Sequence, residues 1–155
     1  VTRLNALFIA SLMDEVNKVI PSTTCEAAVV DKPVVVMGGT TPGHSTDMVA
    51  AELASKVVAE RFVIATDVDG VFDKDPKKHR DAKLFDEVTV EKLLEMCGTE
   101  WKKAGENTVI DGPALNIIRS LNCDVFVVNG RNLDNLRNAI YGKSFVGTKI
   151  KKKLG

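Results

Sequence analysis

Val36-Met37-Gly38-Gly39-Thr40-Thr41-Pro42-Gly43-His44-Ser45-Thr46-Asp47 is the stretch whose reading decides the fold. It is a glycine-rich loop that follows a β-branched run, Pro33-Val34-Val35-Val36-Met37, and opens a helical pattern carrying Val49, Leu53 and Val57. A continuous β-branched run stopped by glycines reads as a strand buried on both faces, as in a parallel sheet. The next run, Arg61-Phe62-Val63-Ile64-Ala65, reads the same way, so strand, helix and strand form a right-handed crossover unit. Backbone N–H groups at a strand-to-helix junction point outward and favour an anion. The spacing from Gly38 to Gly43 approaches a P-loop, but His44 stands where that motif requires Lys, so a different phosphate or nucleotide loop is expected. A tight turn capped by Thr46 or Asp47 would use one or two of these glycines and leave the rest unexplained.

After the Arg61–Ala65 strand comes Thr66-Asp67-Val68-Asp69-Gly70-Val71-Phe72-Asp73-Lys74-Asp75-Pro76, which falls at the carboxyl edge of the sheet. Ligands of open α/β sheets bind at that edge. Phe72 could stack a base, Asp69-Gly70 could make the turn, and a carboxylate could hold magnesium or a ribose hydroxyl. An acidic hairpin pairing Val71-Phe72 with Leu84-Phe85 accounts for the same residues, and taken alone the stretch leaves both readings open. A third junction, Gly105 and then Val109-Ile110-Asp111-Gly112-Pro113, leads into a helix with Asp111 as N-cap and Pro113 in the first turn.

The remaining elements follow from periodicity. Leu4, Leu7, Phe8, Leu12 and Val16 define an apolar helical face over 5–19, ended by Pro21 and the Ser22-Thr23-Thr24 run. Helices are expected at 89–96, 113–121 and 132–140, and strands at 124–128 and 147–150. The alternation predicts one three-layer αβα domain over 1–155 around a mostly parallel sheet.

Composition narrows the function. Twenty-one Lys and Arg balance twenty-one Asp and Glu, which removes the positive field that nucleic-acid or anionic-membrane binding relies on. The basic tail from Lys149 to Lys153 reads as a solvated terminus. Cys25, Cys97 and Cys123 form neither a disulfide framework nor a zinc pattern, so a reducing, cytoplasmic protein is expected. No apolar run approaches a bilayer-spanning length. His44 and His79 are the two histidines, and neither belongs to a nucleophile motif. His79 reads as a surface residue.

Two strings carry a resemblance. Gly38-Gly39-Thr40-x-Pro42-Gly43-His44-Ser45-Thr46-Asp47 followed by Ala65-Thr66-Asp67-Val68-Asp69-Gly70-Val71-Phe72-x-x-Asp75-Pro76 resembles the archaeal-type uridylate (UMP) kinases of the amino-acid-kinase superfamily. The second string is shared across the superfamily, aspartokinases included; the first is what favours a uridylate kinase. Thr2-Arg3-Leu4-Asn5-Ala6, Ala104-Gly105 and Gly147-Thr148 extend the match from Val1 to about Ile150.

The resemblance implies a carbamate-kinase-like fold, ATP with magnesium as donor, UMP as acceptor, and a homohexamer built from dimers. It implies that Gly38, Gly39, Thr40, Thr41, Pro42, Gly43, His44, Ser45 and Thr46 line the UMP site and that Asp47 orients the catalytic lysines. Thr66, Asp67, Val68, Asp69, Gly70, Phe72 and Asp75 would hold the ATP ribose and adenine, with Gly105 and Asp111 near the donor phosphates. The first helix, led by Arg3 and Asn5, would lie at a dimer contact near the acceptor.

The family's Lys-x-Gly-Gly-Ser loop and its triple-glycine loop do not occur in this sequence, so the natural N-terminal portion is expected to lie ahead of Val1. The stretch 21–32 also reads as a few residues short. Asp67 stands where relatives usually have Asn, and Gly112-Pro113 replaces bulkier apolar residues. Both departures bear on donor choice. Alternatives are a kinase of the same superfamily acting on aspartate, acetylglutamate or carbamate, which would lack the Pro42-Gly43-His44 loop, and a non-catalytic nucleotide-binding subunit. A structural α/β domain with incidental glycine loops would not bring three loops to one edge.

Overall fold

A computed structural model describes residues 1–97 and 109–152. Their sheet has four strands, β1 Arg61–Thr66, β2 Glu87–Thr89, β3 Asp124–Asn129 and β4 Thr148–Lys151, in the order β1-β3-β4-β2. β1 runs parallel to β3 and β2 parallel to β4, while β3 and β4 are antiparallel, so the sheet is mostly parallel. Six helices accompany them among the described residues: α1 Thr2–Ser11, α2 Thr24–Ala28, α3 Thr46–Lys56, α4 Val90–Cys97, α5 Gly112–Ile118 and α6 Leu133–Ile140.

The period of two along β3 separates the layers. Val125 and Val127 face the main core, which they share with Ala51 and Ala54 of α3, Leu93 of α4, and Ala114, Leu115 and Ile118 of α5. Phe126 and Val128 are also buried and point to the opposite face, where α6 packs on β3 and β1. Helices on both faces of one sheet make the expected three-layer αβα architecture. No helix among the described residues is long and apolar enough to cross a membrane.

Two expectations are corrected. The first helix does not run to residue 19. It stops at Ser11, and Val16 instead forms a parallel bridge with Val34. The buried Asn17 side chain explains the change, because its Nδ2 donates to the carbonyls of Val19 and Val36 while its Oδ1 accepts from the Val36 amide at 2.6 Å. That side chain imitates a strand partner, and a helix through residue 17 would forfeit those bonds. The helix also buries Ala6 and Ala10, leaving Leu4, Leu7, Phe8 and Leu12 exposed.

The 33–37 run is likewise not a strand of the sheet. Among the described residues its backbone meets the Val16 bridge and Asn17, and its side chains are half-buried or exposed. The crossover pattern therefore survives as a helix leading into β1 without a first strand in the sheet. The proposed hairpin is present as the antiparallel Phe72–Leu84 bridge, whereas α2 and β2 are elements that periodicity did not predict. Trp101 and Gly105 lie outside the described residues.

Candidate functional site

The register of β1 on β3 puts Thr66 beside Asn129, so the loops that leave these strands start side by side at one edge of the sheet. α3 and α5 each lead through a short turn into β1 and β3 respectively, so both run back from that edge and present their N-termini to it. They also pack on one another. Ser45 caps α3, its Oγ accepting from the Met48 amide at 3.0 Å. Asp111 caps α5 as expected, its Oδ1 accepting from the Ala114 amide at 2.8 Å, with Pro113 in the first turn. Two helix starts, each carrying a partial positive charge, thus meet the carboxyl edge together.

Asp47 and Asp111 are brought near one another by this packing. Burial pushes the Asp47 carboxyl above its ordinary range, and the charge of Asp111 raises it further. An acid held above its ordinary range beside a second acid is the kind of group that chemistry uses.

The glycine loop meets the start of α1. Gly38 leaves no room for a side chain, since a Cβ there would lie 2.8 Å from the backbone N and Cα of Arg3. The Gly39 amide donates to Thr2 Oγ1 at 3.0 Å. The Arg3 guanidinium is spent on the carbonyls of Pro21 and Ile20, at 2.6 and 2.8 Å, and so braces the loop's support. Gly43 turns the chain at φ +93, a conformation other residues resist. Thr41, Pro42, Gly43 and His44 are exposed, and Thr40 and Ser45 are half-buried.

On the other side of the edge, Thr66 Oγ1 accepts from the Val68 amide and donates to its carbonyl. Asp69 Oδ1 accepts from Asn129 Nδ2 at 2.9 Å. Asp67 pairs with Lys77, and that ammonium, assisted by Arg131, holds the Asp67 carboxyl below its usual range. Gly70 lies against Thr148, whose Oγ1 a Cβ would meet at 2.6 Å. Thr148 is fully buried and joins both arms of the hairpin, accepting from the Val71 amide at 2.8 Å and donating to the Phe85 carbonyl at 2.6 Å. Phe72 is half-buried within its bridge, and Asp75 caps the following turn through the Lys77 amide.

The sequence-derived candidates therefore fall into two groups at one edge, 38–47 and 66–75, with Asp111 next to Asp47; Gly105 is outside the described residues. Sequence reasoning missed Asn129, Arg131, Lys77 and Thr2. Asn129-Gly130-Arg131 could have been found from its place directly after a strand parallel to β1, since that is where such loops gather. Lys77 left no signal, and Thr2, quoted only within the Thr2–Ala6 string, was given no part in the loop.

Comparison with known proteins gives consistent results. A profile of the amino acid kinase family matches residues 2–129. A uridylate kinase from Thermoplasma volcanium is 41% identical over 154 residues, covering 98% of this chain and 67% of that protein. One from Methanobrevibacter smithii is 39% identical, with 97% and 68% covered. The crystal structure of uridylate kinase from Archaeoglobus fulgidus superposes with a TM-score of 0.82 at 38% identity, covering 96% of this chain and 67% of that one. This chain thus spans about two thirds of the length of the relatives it matches.

Proposed function

We propose that this chain, which belongs to the amino acid kinase family, carries the acceptor loop and donor frame of a uridylate kinase that moves the terminal phosphoryl group of ATP to UMP, giving UDP. One observation carries the reading: Asp47 and Asp111 come together at the starts of two packed helices, at the edge of the sheet from which the 66–75 loop leaves β1. Phosphoryl transfer asks little covalent chemistry of a protein; it needs in-line alignment of two substrates and cancellation of the charge that develops on the oxygens. Two loops on one edge, with a pair of acids at the same edge, suit two substrates meeting end to end.

In this reading the backbone amides and hydroxyls of residues 38–46 hold UMP. Asp47 orients the lysines that act on the transferred group. Thr66, Asp67, Val68, Asp69, Gly70, Phe72 and Asp75 hold the ribose and adenine of ATP, with Gly105 and Asp111 near its phosphates. Among the described residues no three His, Cys, Asp or Glu side chains cluster tightly enough to hold a metal ion by themselves. Magnesium is commonly bound through one or two carboxylates plus substrate phosphates, and Asp47 and Asp111 are the carboxylates that would face it. Bound there with the nucleotide, the ion neutralises phosphate charge.

The same reading includes a homo-oligomer built from dimers. Leu4, Leu7, Phe8 and Leu12 share one face of α1 and are 50–70% exposed, and a contiguous exposed apolar stripe marks an interface. The start of that helix touches Gly38 and Gly39, so a dimer contact through it would lie beside the acceptor loop. Leu4→Glu with Phe8→Glu in the full-length protein should lower the sedimenting mass; an unchanged mass removes α1 from the interface.

The activity is tested by a coupled assay of ADP release from the full-length gene product with ATP and magnesium, offering UMP, CMP, AMP and small amino acids in turn. Turnover with UMP in preference to the others is expected. Turnover with an amino acid, or tight ATP binding without turnover, would overturn the reading.

A further inference from the structure

We infer that Asn129 is a positioning residue for the donor nucleotide, acting through the carboxylate of Asp69; the inference rests on the reading of this edge as the donor site. Asn129 ends β3, opposite Thr66 in the parallel register. Its side chain makes two bonds of opposite sense. Oδ1 accepts from the Arg131 amide at 3.0 Å, and Nδ2 donates to Asp69 Oδ1 at 2.9 Å, across 60 residues of sequence. The first bond fixes which way the amide faces, so the NH2 group is turned to Asp69 and a donor is presented to a carboxylate.

The strand end itself is held close. The Gly130 amide donates to the Thr66 carbonyl at 2.8 Å, and a Cβ on Gly130 would come within 3.0 Å of the Ala65 Cβ. Asn129 is therefore mounted on backbone that is tied to β1, while Asp69 stands in a loop. The Thr148 bonds grip the hairpin at Val71 and Phe85 and the Lys77 pair grips Asp67; the side-chain bond to the Asp69 carboxylate comes from Asn129. Without it that carboxylate is free to turn while the hairpin stays in place.

The substitutions separate these roles. Asn129→Ala removes the donor. Asn129→Asp keeps an acceptor for the Arg131 amide and sets one carboxylate against another. In the full-length protein, Asn129→Ala should raise the KM for ATP about tenfold, the size of effect a lost bond to a charged group gives, and Asn129→Asp should raise it further. The KM for UMP and kcat should stay within about twofold, a split expected when binding of one substrate alone is lost. In an Asp69→Ala background the Asn129 changes should add nothing.

Equal losses in both KM values, or the same Asn129 effect with Asp69 removed, would overturn the inference and leave Asn129 a merely structural residue. An unchanged KM for ATP would overturn it as well. Should the parent protein release no ADP with any acceptor, the proposed activity falls, and calorimetric titration of ATP into the same variants still decides: weaker binding in Asn129→Ala supports the positioning role, and equal binding, or none to the parent, overturns it.

Discussion

The two sides of the sheet edge are built differently. The proposed donor side, 66–86, is held by two side chains from distant segments, Thr148 of β4 joining both hairpin arms and Asn129 of β3 taking Asp69, and by its own Lys77, which closes on Asp67. The proposed acceptor side, 38–46, is laced more sparsely, with one side chain from a distant segment, that of Thr2, among its described bonds. It is set by close backbone approach at Gly38, one bond from Gly39 to Thr2, and the Ser45 cap, and its middle is exposed. One side is a frame and the other an open arm anchored at both ends. A laced frame beside a more open loop suits the proposed reaction, which must seat two substrates and release both products.

The largest expected effect lies where the two sides meet. Asp47→Asn in the full-length enzyme should cut turnover on the order of a hundredfold or more, by analogy with loss of other preorganised charge, with the fold intact. Stability supplies an independent reading. Because the folded protein holds the Asp47 carboxyl above its ordinary range, ionisation costs the folded state something that the unfolded state does not pay. That cost is absent below the unfolded value, near 3.8, grows as pH rises toward the folded value, and is constant beyond it. The Asn variant should therefore melt no lower than the parent at pH 7, and any advantage should vanish as pH falls below about 4. Activity retained at pH 7 would remove Asp47 from the chemistry.

A smaller effect tests the frame. Thr148→Val keeps the volume but leaves the Val71 amide and the Phe85 carbonyl without their partner, which costs about 1–3 kcal/mol for each buried group left unsatisfied. Chemical denaturation should show that loss, with the hairpin loosened and ATP affinity reduced. A smaller loss of stability than at Thr148 is expected at the arm. Gly38→Ala forces a Cβ against the backbone of Arg3, and the start of α1 must shift; overpacking of this kind costs about 1–3 kcal/mol. Its cost in UMP affinity should exceed its cost in ATP affinity.

How much of this was legible in the sequence depended on how local the cause was. β1, β3 and α6 could be read because β-branched runs and helical spacing are properties of neighbours in the chain, and the Asp111 cap because Asp before Gly-Pro is a local signal. The two candidate loops were singled out on signals of the same local kind. The first helix was overrun because Leu12 and Val16 continue its period, while the cause that ends it, the bonding of Asn17 to Val36, spans 19 residues. The 33–37 run has strand composition, but composition cannot supply a partner. Asn129 and Thr148 look like ordinary strand-end residues; the parallel register and the hairpin's return give them their roles.

The division of the edge is tested most directly by titrating ATP and UMP separately into full-length Gly38→Ala and Thr148→Val proteins by calorimetry. The account predicts a crossed pattern, in which the Gly38 variant loses UMP affinity and keeps ATP affinity while the Thr148 variant does the reverse. Parallel losses of both nucleotides in both variants would contradict it.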